Sequence, residues 1–313
     1  MNVAVIDIGT NTFHLLIAEV NNGTYKKLFS TKNSVKLGKG GITQNFIMNV
    51  PFKKGVETLD KYKAIARKYK VKHIMAFATS AVRSASNGKL FTAEVKKLTG
   101  IDIQVISGQQ EADYIYQGVR QALDMGNEMN LVMDIGGGSV EFIIGNTQEC
   151  AWKSSYNIGV ARLLEKIKPS DPITPQQVAE LETYLEEQLK PLFTVVSQYD
   201  VHTLIGASGS FDTFAEMIAY RYSAHTHIQN RTSVDINLEH YLAIHQQLLK
   251  STLAERRATK GIILMRVDMI VLSSILVNVV VRNLAIKKMR LSTYALKEGA
   301  LIQFIHNIKE TKK

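Results

Sequence analysis

Short apolar runs broken by glycine turns dominate the first half of the chain. Residues 3–7 read as a buried strand, Gly9-Thr10-Asn11-Thr12 as a tight turn and residues 13–20 as the returning strand of a hairpin. An apolar period near 3.6 over residues 52–69 predicts a helix. The β-compatible run 73–79 predicts a strand that passes into a helix near Ser80, and 101–106 predicts another strand. Ser107-Gly108-Gln109-Gln110 has the Ser-x-x-Gln spacing of a capping box and opens a helix running to about residue 123. This alternation of strands and helices predicts a mixed α/β fold.

A second hairpin is predicted from strand 130–134, the turn Gly136-Gly137-Gly138 and the return 139–145. Val132-Met133-Asp134-Ile135-Gly136 matches Val5-Ile6-Asp7-Ile8-Gly9 at a spacing of 127 residues. The match points to an internal duplication, two similar lobes that each offer a phosphate-sized turn. Beyond a loop at 169–172, Thr174 caps a helix to about residue 196. Strand 202–206 ends in a third glycine loop, Gly206-Ala207-Ser208-Gly209-Ser210, followed by a helix over 211–220. From Asn237 the pattern is mainly helical, with a strand near 289–291 and a last helix over 295–308. The domain boundary is expected within 119–127.

Composition narrows the class. A chain of 313 residues allows about two domains at ~150 residues each, and 45% hydrophobic with 21% charged residues excludes disordered, collagenous and disulfide-rich types. The single cysteine, Cys150, can form no internal disulfide and no thiolate zinc site, so a reducing, cytoplasmic setting is expected. The longest apolar stretch, 269–281, contains Ser273, Ser274 and Asn278 and is shorter than the ~20 residues a membrane span needs. The first residues lack the basic start of a secretory signal. The net charge of +10 is concentrated: residues 26–72 hold thirteen Lys or Arg against Glu57 and Asp60. Such a basic segment gathers polyanions, be they nucleic acid, membrane headgroups or a phosphorylated substrate, although it also serves as an ordinary solvated surface.

The glycine turns supply candidate chemistry. Amides converging in a turn form a nest for phosphate, and the hydroxyls of Thr10, Thr12 and Ser139 add donors. Asp7 and Asp134 at equivalent strand ends would repel phosphate unless a cation such as Mg²⁺ intervenes; alternatively each caps its own turn. Glu111, in the first turn of its helix, is favoured there in the ionised form and could act as a base, or could merely complement the helix dipole. Arg83 stands at a strand-to-helix junction, where its guanidinium could fork onto phosphate oxygens or remain a surface charge. The sequence has neither a His-Glu-x-x-His zinc motif nor a Gly-x-x-x-x-Gly-Lys-Ser/Thr loop. Ser208 lacks the surroundings of a hydrolase nucleophile, His225 and His227 read as loop residues, and Tyr114 and Tyr116 as packing.

Four ordered motifs resemble the exopolyphosphatase/guanosine pentaphosphate phosphohydrolase family. They are Val5-Ile6-Asp7-Ile8-Gly9-Thr10-Asn11-Thr12-Phe13-His14, Ala78-Thr79-Ser80-Ala81-Val82-Arg83, Ile106-Ser107-Gly108-Gln109-Gln110-Glu111-Ala112 and Asp134-Ile135-Gly136-Gly137-Gly138-Ser139-Val140-Glu141. Asn157-Ile158-Gly159-Val160-Ala161-Arg162-Leu163, Gly206-Ala207-Ser208-Gly209, Arg266-Val267-Asp268 and Leu296-Lys297-Glu298-Gly299 extend the likeness over nearly the whole chain. The resemblance implies an actin-like ATPase (ribonuclease H-like) α/β fold. Its first lobe would comprise 1–120 plus 293–313 and its second lobe 121–292, around a central cleft. It implies Glu111 as catalytic residue and Asp7, Asp134 and Glu141 as Mg²⁺ ligands. Phosphate would be held by Gly9, Thr10, Asn11, Thr12, Arg83, Gly136, Gly137, Gly138, Ser139, Gly206, Ser208 and Gly209.

Some positions depart from the family pattern. Thr10 and Thr12 stand where serine is common and keep the hydroxyl. Gln109 and Gln110 replace frequently acidic positions, Asp113 a frequent arginine, and Ile263, Leu264 and Ser273 usual Pro and Gly positions. The match ends at Lys313, so a short form without the additional C-terminal helical domain of longer members is expected. The expected activity is release of terminal phosphate from inorganic polyphosphate by a cytoplasmic homodimer using Mg²⁺, with guanosine pentaphosphate as the alternative substrate. An actin-fold kinase and a nucleic-acid-binding module are the readings from other classes. The carboxylates expected in the cleft argue against nucleic acid as a partner, and no membrane partner is expected.

Overall fold

The computed structural model describes residues 1–207, 209–222 and 228–310; Ser208, His225 and His227, singled out above, lie outside them. The chain opens on the expected antiparallel hairpin of β1 (Asn2–Ile8) and β2 (Thr12–Asn21), and then turns back into β3 (Thr24–Ser34). The hydrophobic pattern does not mark β3. As an edge strand it fully buries none of its residues, so Lys26, Lys27 and Lys32 are accommodated there, and charged edges resist pairing with other chains. Next come α1 (Asn49–Lys68), β4 (His73–Ala78), α2 (Ser80–Ser84), α3 (Gly88–Thr99), β5 (Ile103–Val105) and α4 (Gly108–Ala122). The first sheet has the order β3-β2-β1-β4-β5, with β4 parallel to β1 and β5 parallel to β4. On one face Leu59 and Tyr62 of α1 and Phe91 and Val95 of α3 bury Ile6, Phe13 and Leu15. The Tyr62 hydroxyl finds its required partner by donating to Phe13 O at 2.9 Å.

The second half repeats this topology. After β6 (Asn130–Ile135), β7 (Val140–Gly145) and β8 (Cys150–Tyr156) come α5 (Val160–Ile167), α6 (Pro175–Val196), β9 (Thr203–Ala207) and α7 (Gly209–Tyr222). β10 (Ser233–Ile236), α8 (Leu238–Lys250), α9 (Leu253–Ala258), α10 (Ile270–Asn283) and β11 (Lys288–Ser292) complete it. The sheet runs β10-β11-β9-β6-β7-β8, with β9 parallel to β6 as β4 is to β1. The duplication read from five aligned residues, four of them identical, is therefore a duplication of strand order. α10, which contains most of the long apolar stretch, is buried nearly all round, with α6 and α8 against it. Among the described residues no helix is long and apolar enough to cross a membrane.

Between the sheets lie α4 and the last helix, α11 (Leu296–Glu310). One apolar cluster joins Val5 and Leu16 of the first sheet, Val132 and Ile143 of the second, and Ile115 and Leu301 of these helices. The helices touch backbone to backbone: a β-carbon on Gly299 would strike the carbonyl of Tyr114, and one on Gly118 that of Ala295. α4 is thereby clamped, and its N-terminus carries Glu111 to the gap between the sheets. Ser107 caps this helix by accepting from Gln110 N at 3.1 Å; Thr174 caps α6 with a complete capping box, Gln177 answering at the N-cap amide.

Candidate active site

The two hairpin turns have the same local geometry. A β-carbon on Gly9 would lie 2.9 Å from Thr12 O, and one on Gly136 would lie 2.8 Å from Ser139 O, which is why both positions need glycine. The turns also meet each other: a β-carbon on Gly137 would lie 3.0 Å from Thr10 Cβ, and one on Gly138 would lie 2.7 Å from Thr10 Oγ1. The second turn hangs on α5, whose Val160 N and Ala161 N donate to Gly136 O and Gly137 O at 3.0 and 2.8 Å. Those carbonyls, which would repel an anion, are engaged by the helix, and the amides of the turn are left to meet a phosphate. Thr10 Oγ1 and Ser80 Oγ are buried without a hydrogen-bond partner among the described residues, a state that costs about 1–3 kcal/mol per group until a ligand supplies one.

One cavity is lined by Asp7, Gly9, Thr10, Asn11, Thr12, Glu111, Asp134, Gly136, Gly137, Gly138, Ser139, Glu141 and Gly209. Strand register explains how residues so far apart share it. Asp7 lies opposite His14 and His14 opposite Lys32, while Asp134 lies opposite Glu141 and Glu141 opposite Ser155, so each row occupies one face of its sheet. The duplicated hairpins thus present walls of different character. His14 and Lys32 stand on one side, Glu141 and Ser155 on the other.

Electrostatics follow from this crowding. Burial, then the neighbouring Glu141, pushes the Glu111 carboxyl well above the usual range, while Arg83 pulls it back through a 2.9 Å hydrogen bond from Nη1 to Oε2. The helix dipole does not decide the charge of Glu111, as its place in the sequence suggested, because desolvation and a second carboxylate oppose it. Burial, Glu141 and Asp7 together raise Asp134 well above its ordinary value. Asp7 is pushed up to about 6, chiefly by burial, with Lys297 opposing. Glu141 is also raised by burial, against hydrogen bonds from Ser155 at 2.6 Å and from Ser139. Carboxylates whose ionisation is resisted in one cavity fit a cation. Among the described residues no three His, Cys, Asp or Glu side chains form a ready metal cage. Mg²⁺ does not require one, since one or two carboxylates, waters and phosphate oxygens complete its shell.

Other sequence readings are modified. Gly206 does not line the cavity: it sits within β9, paired with Leu291 and Met133, and its missing side chain makes room for the Phe211 ring. Arg83 does not line it either; its guanidinium is engaged by Glu111 and by Ile106 O at 3.0 Å. Conversely Ser80, His14, Ser210 and Arg266 line the cavity without having been assigned to it. Ser80 was legible as part of a motif, whereas His14 could be found by continuing the repeat, since 14 and 141 are again 127 apart. An adjoining pocket shares His14, Gly209 and Arg266 with the cavity and adds Lys32, Lys297 and Asp212. Burial and the nearby charges of Lys297, Lys32 and Arg266 hold the His14 imidazole neutral, well below its usual pKa.

A profile of the Ppx/GppA phosphatase family matches residues 16–308. The chain belongs to the Ppx/GppA phosphatase family. Among solved structures, an exopolyphosphatase from Cytophaga hutchinsonii is 40% identical, with a TM-score of 0.95 over 98% of either chain. The Aquifex aeolicus PPX-GPPA enzyme is 25% identical, with a TM-score of 0.79 over 97% of this chain and 99% of its own. Exopolyphosphatase 1 of Mycobacterium tuberculosis is 28% identical over 305 residues, 97% of this chain and 88% of that protein. The two-lobed, actin-like α/β fold expected from the motifs is that of these Ppx/GppA structures, and the cavity lies where the two halves of the duplication meet.

Proposed function

We propose that the protein is an Mg²⁺-dependent exopolyphosphatase that releases orthophosphate from the end of inorganic polyphosphate. The observation that carries this reading is the convergence of two phosphate-sized turns and the Glu111 carboxylate on one cavity. Glu111 acts as general base: it takes a proton from water, whose oxygen bonds to the terminal phosphorus as the bridging P–O bond breaks and the shortened chain leaves. Its raised pKa suits a base, and Arg83 keeps the ionised form within reach. Asp7, Asp134 and Glu141 hold Mg²⁺, which when bound supplies positive charge against the phosphate oxygens. The turn amides, with Thr10, Ser80 and Ser139, position the terminal phosphoryl group.

Guanosine pentaphosphate presents the same terminal anhydride and is the second reading. The polymer is favoured by Lys32, Arg266 and Lys297 in the adjoining pocket and by the basic surface of residues 26–72. The cytoplasmic homodimer belongs to this proposal as well and is checked by light scattering and fractionation. Phosphate release from medium-chain polyphosphate and from guanosine pentaphosphate, each with Mg²⁺ and with EDTA, tests it. A higher kcat/KM on polyphosphate, abolished by EDTA, is expected; activity indifferent to EDTA would remove the metal. Release from neither substrate, with ATP-dependent phosphorylation of a metabolite instead, would overturn the reading. Glu111→Gln should lower kcat at least ~10²-fold while polyphosphate still binds.

A further inference from the structure

The two phosphate turns belong to different sheets, and the distance at which Thr10 of the first packs on Gly137 and Gly138 of the second is not fixed within either hairpin. We propose that Arg162 is a positioning residue that fixes this distance, by bracing the second turn against a segment of chain carried on the first. The proposal rests on the reading that both turns grip one phosphoryl group.

The brace has three connected parts. The segment 36–47 is fastened to the first turn through Lys36 N to Asn11 O at 2.8 Å and Gly38 N to Thr10 O at 3.0 Å. Its far end is pinned by Asn87, which exchanges two hydrogen bonds of 2.9 Å with the backbone of Ile47. The second part is α5, fastened to the second turn by its own first amides. The third is the pair of side chains that α5 projects across the gap. Arg162 Nη1 donates to Ile42 O at 2.7 Å while its Nε donates to Gly138 O at 3.2 Å. Glu165, one turn further, accepts from Gly40 N at 2.5 Å and from Thr43 Oγ1 at 3.2 Å.

One planar guanidinium therefore spans a carbonyl of the second phosphate turn and a carbonyl of the segment that carries the first. The span needs two donors at a fixed divergence, which arginine provides and lysine does not. Arg162 does not line the cavity, so its effect on the reaction passes through the turns. Lys36 and Asp268, 3.1 Å apart, form a separate link from the same segment and are partly exposed, so screening by solvent makes that pair the weaker strut.

The experiment measures kcat and KM on medium-chain polyphosphate together with thermal unfolding. Many phosphate groups bind a long chain, whereas the alignment of its last group depends on the turns, so the loss should fall on kcat. A misplacement near 1 Å predicts that Arg162→Ala lowers kcat about 10²-fold with KM changed less than threefold. Arg162→Lys should fall between, and added guanidinium ion below denaturing concentration should restore at least tenfold of the kcat lost in Arg162→Ala. Glu165→Gln, which keeps Arg162, should lower kcat several-fold with the same sign and decides the matter if Arg162→Ala does not fold. A kcat of Arg162→Ala within threefold of wild type overturns the proposal, as does a loss carried by KM with no response to guanidinium. A wild-type protein that releases no phosphate would instead refute the functional reading itself.

Discussion

Gly159 offers a direct test of how closely the second phosphate turn is packed. Its backbone, at φ −61° and ψ 151°, is one that alanine adopts freely, so any destabilisation by Gly159→Ala is steric. The added β-carbon would overlap the carbonyl carbons of Gly137 and Gly138 and the amide nitrogen of Gly138. All three are backbone atoms that no rotamer change can move. Restoring an ordinary separation of ~3.5 Å requires the turn or the start of α5 to retreat by about 1 Å. Overpacking of this kind costs about 1–3 kcal/mol, partly offset by the ~0.4–1 kcal/mol that losing a glycine contributes through the unfolded chain. The net destabilisation, at most about 2.5 kcal/mol, lowers Tm by only a few degrees in a chain of this size. Catalysis should suffer far more, since a 1 Å displacement of a phosphate-gripping turn predicts about a 10²-fold loss in kcat. Phosphate release at saturating polyphosphate, measured beside a thermal melt, separates the two effects. A variant that retains a third or more of wild-type kcat would show that the turn does not need its observed position.

Three further outcomes are expected. Ser80→Ala removes a buried hydroxyl that has no partner among the described residues, so Tm should be unchanged or higher while KM for polyphosphate rises; a drop of several degrees would place a partner at that oxygen. Gly206→Ala sets a β-carbon into the Phe211 ring and should destabilise by about 3 kcal/mol in urea unfolding, whereas unchanged stability with weakened phosphate binding would reinstate Gly206 as a ligand residue. His245, buried beside Ser274 Oγ at 3.1 Å, has its pKa lowered to about 4 by desolvation. The unfolded chain therefore takes up its proton first, and its contribution is complete above pH 6.5 and lost as pH falls towards 4, up to about 3 kcal/mol. The stability difference between wild type and His245→Gln should shrink over that window, and a constant difference would show that His245 titrates normally.

Local chemistry was legible in the residues themselves. A glycine where a turn must close on itself, a Ser or Thr before a helix, and an Asp-Ile-Gly repeated at a fixed spacing each speak through neighbouring atoms, and the hairpins, the caps on α4 and α6 and the place of Glu111 follow from them. The edge strands β3, β8 and β10 left no comparable mark, because strands that bury little can be built from polar residues. The same limit separates motif from site. That Arg83 meets Glu111, that Ser80 and Thr10 face Gly138, and that Gly206 serves Phe211 all depend on distances between residues remote along the chain. Those distances are set where α4 and α11 lock together at Gly118 and Gly299 between two sheets, and where α5 meets the segment 36–47. Periodicity reports which side of an element is buried; only close packing of backbone against backbone decides which buried sides meet, and with them the pKa values and hydrogen bonds of the cavity.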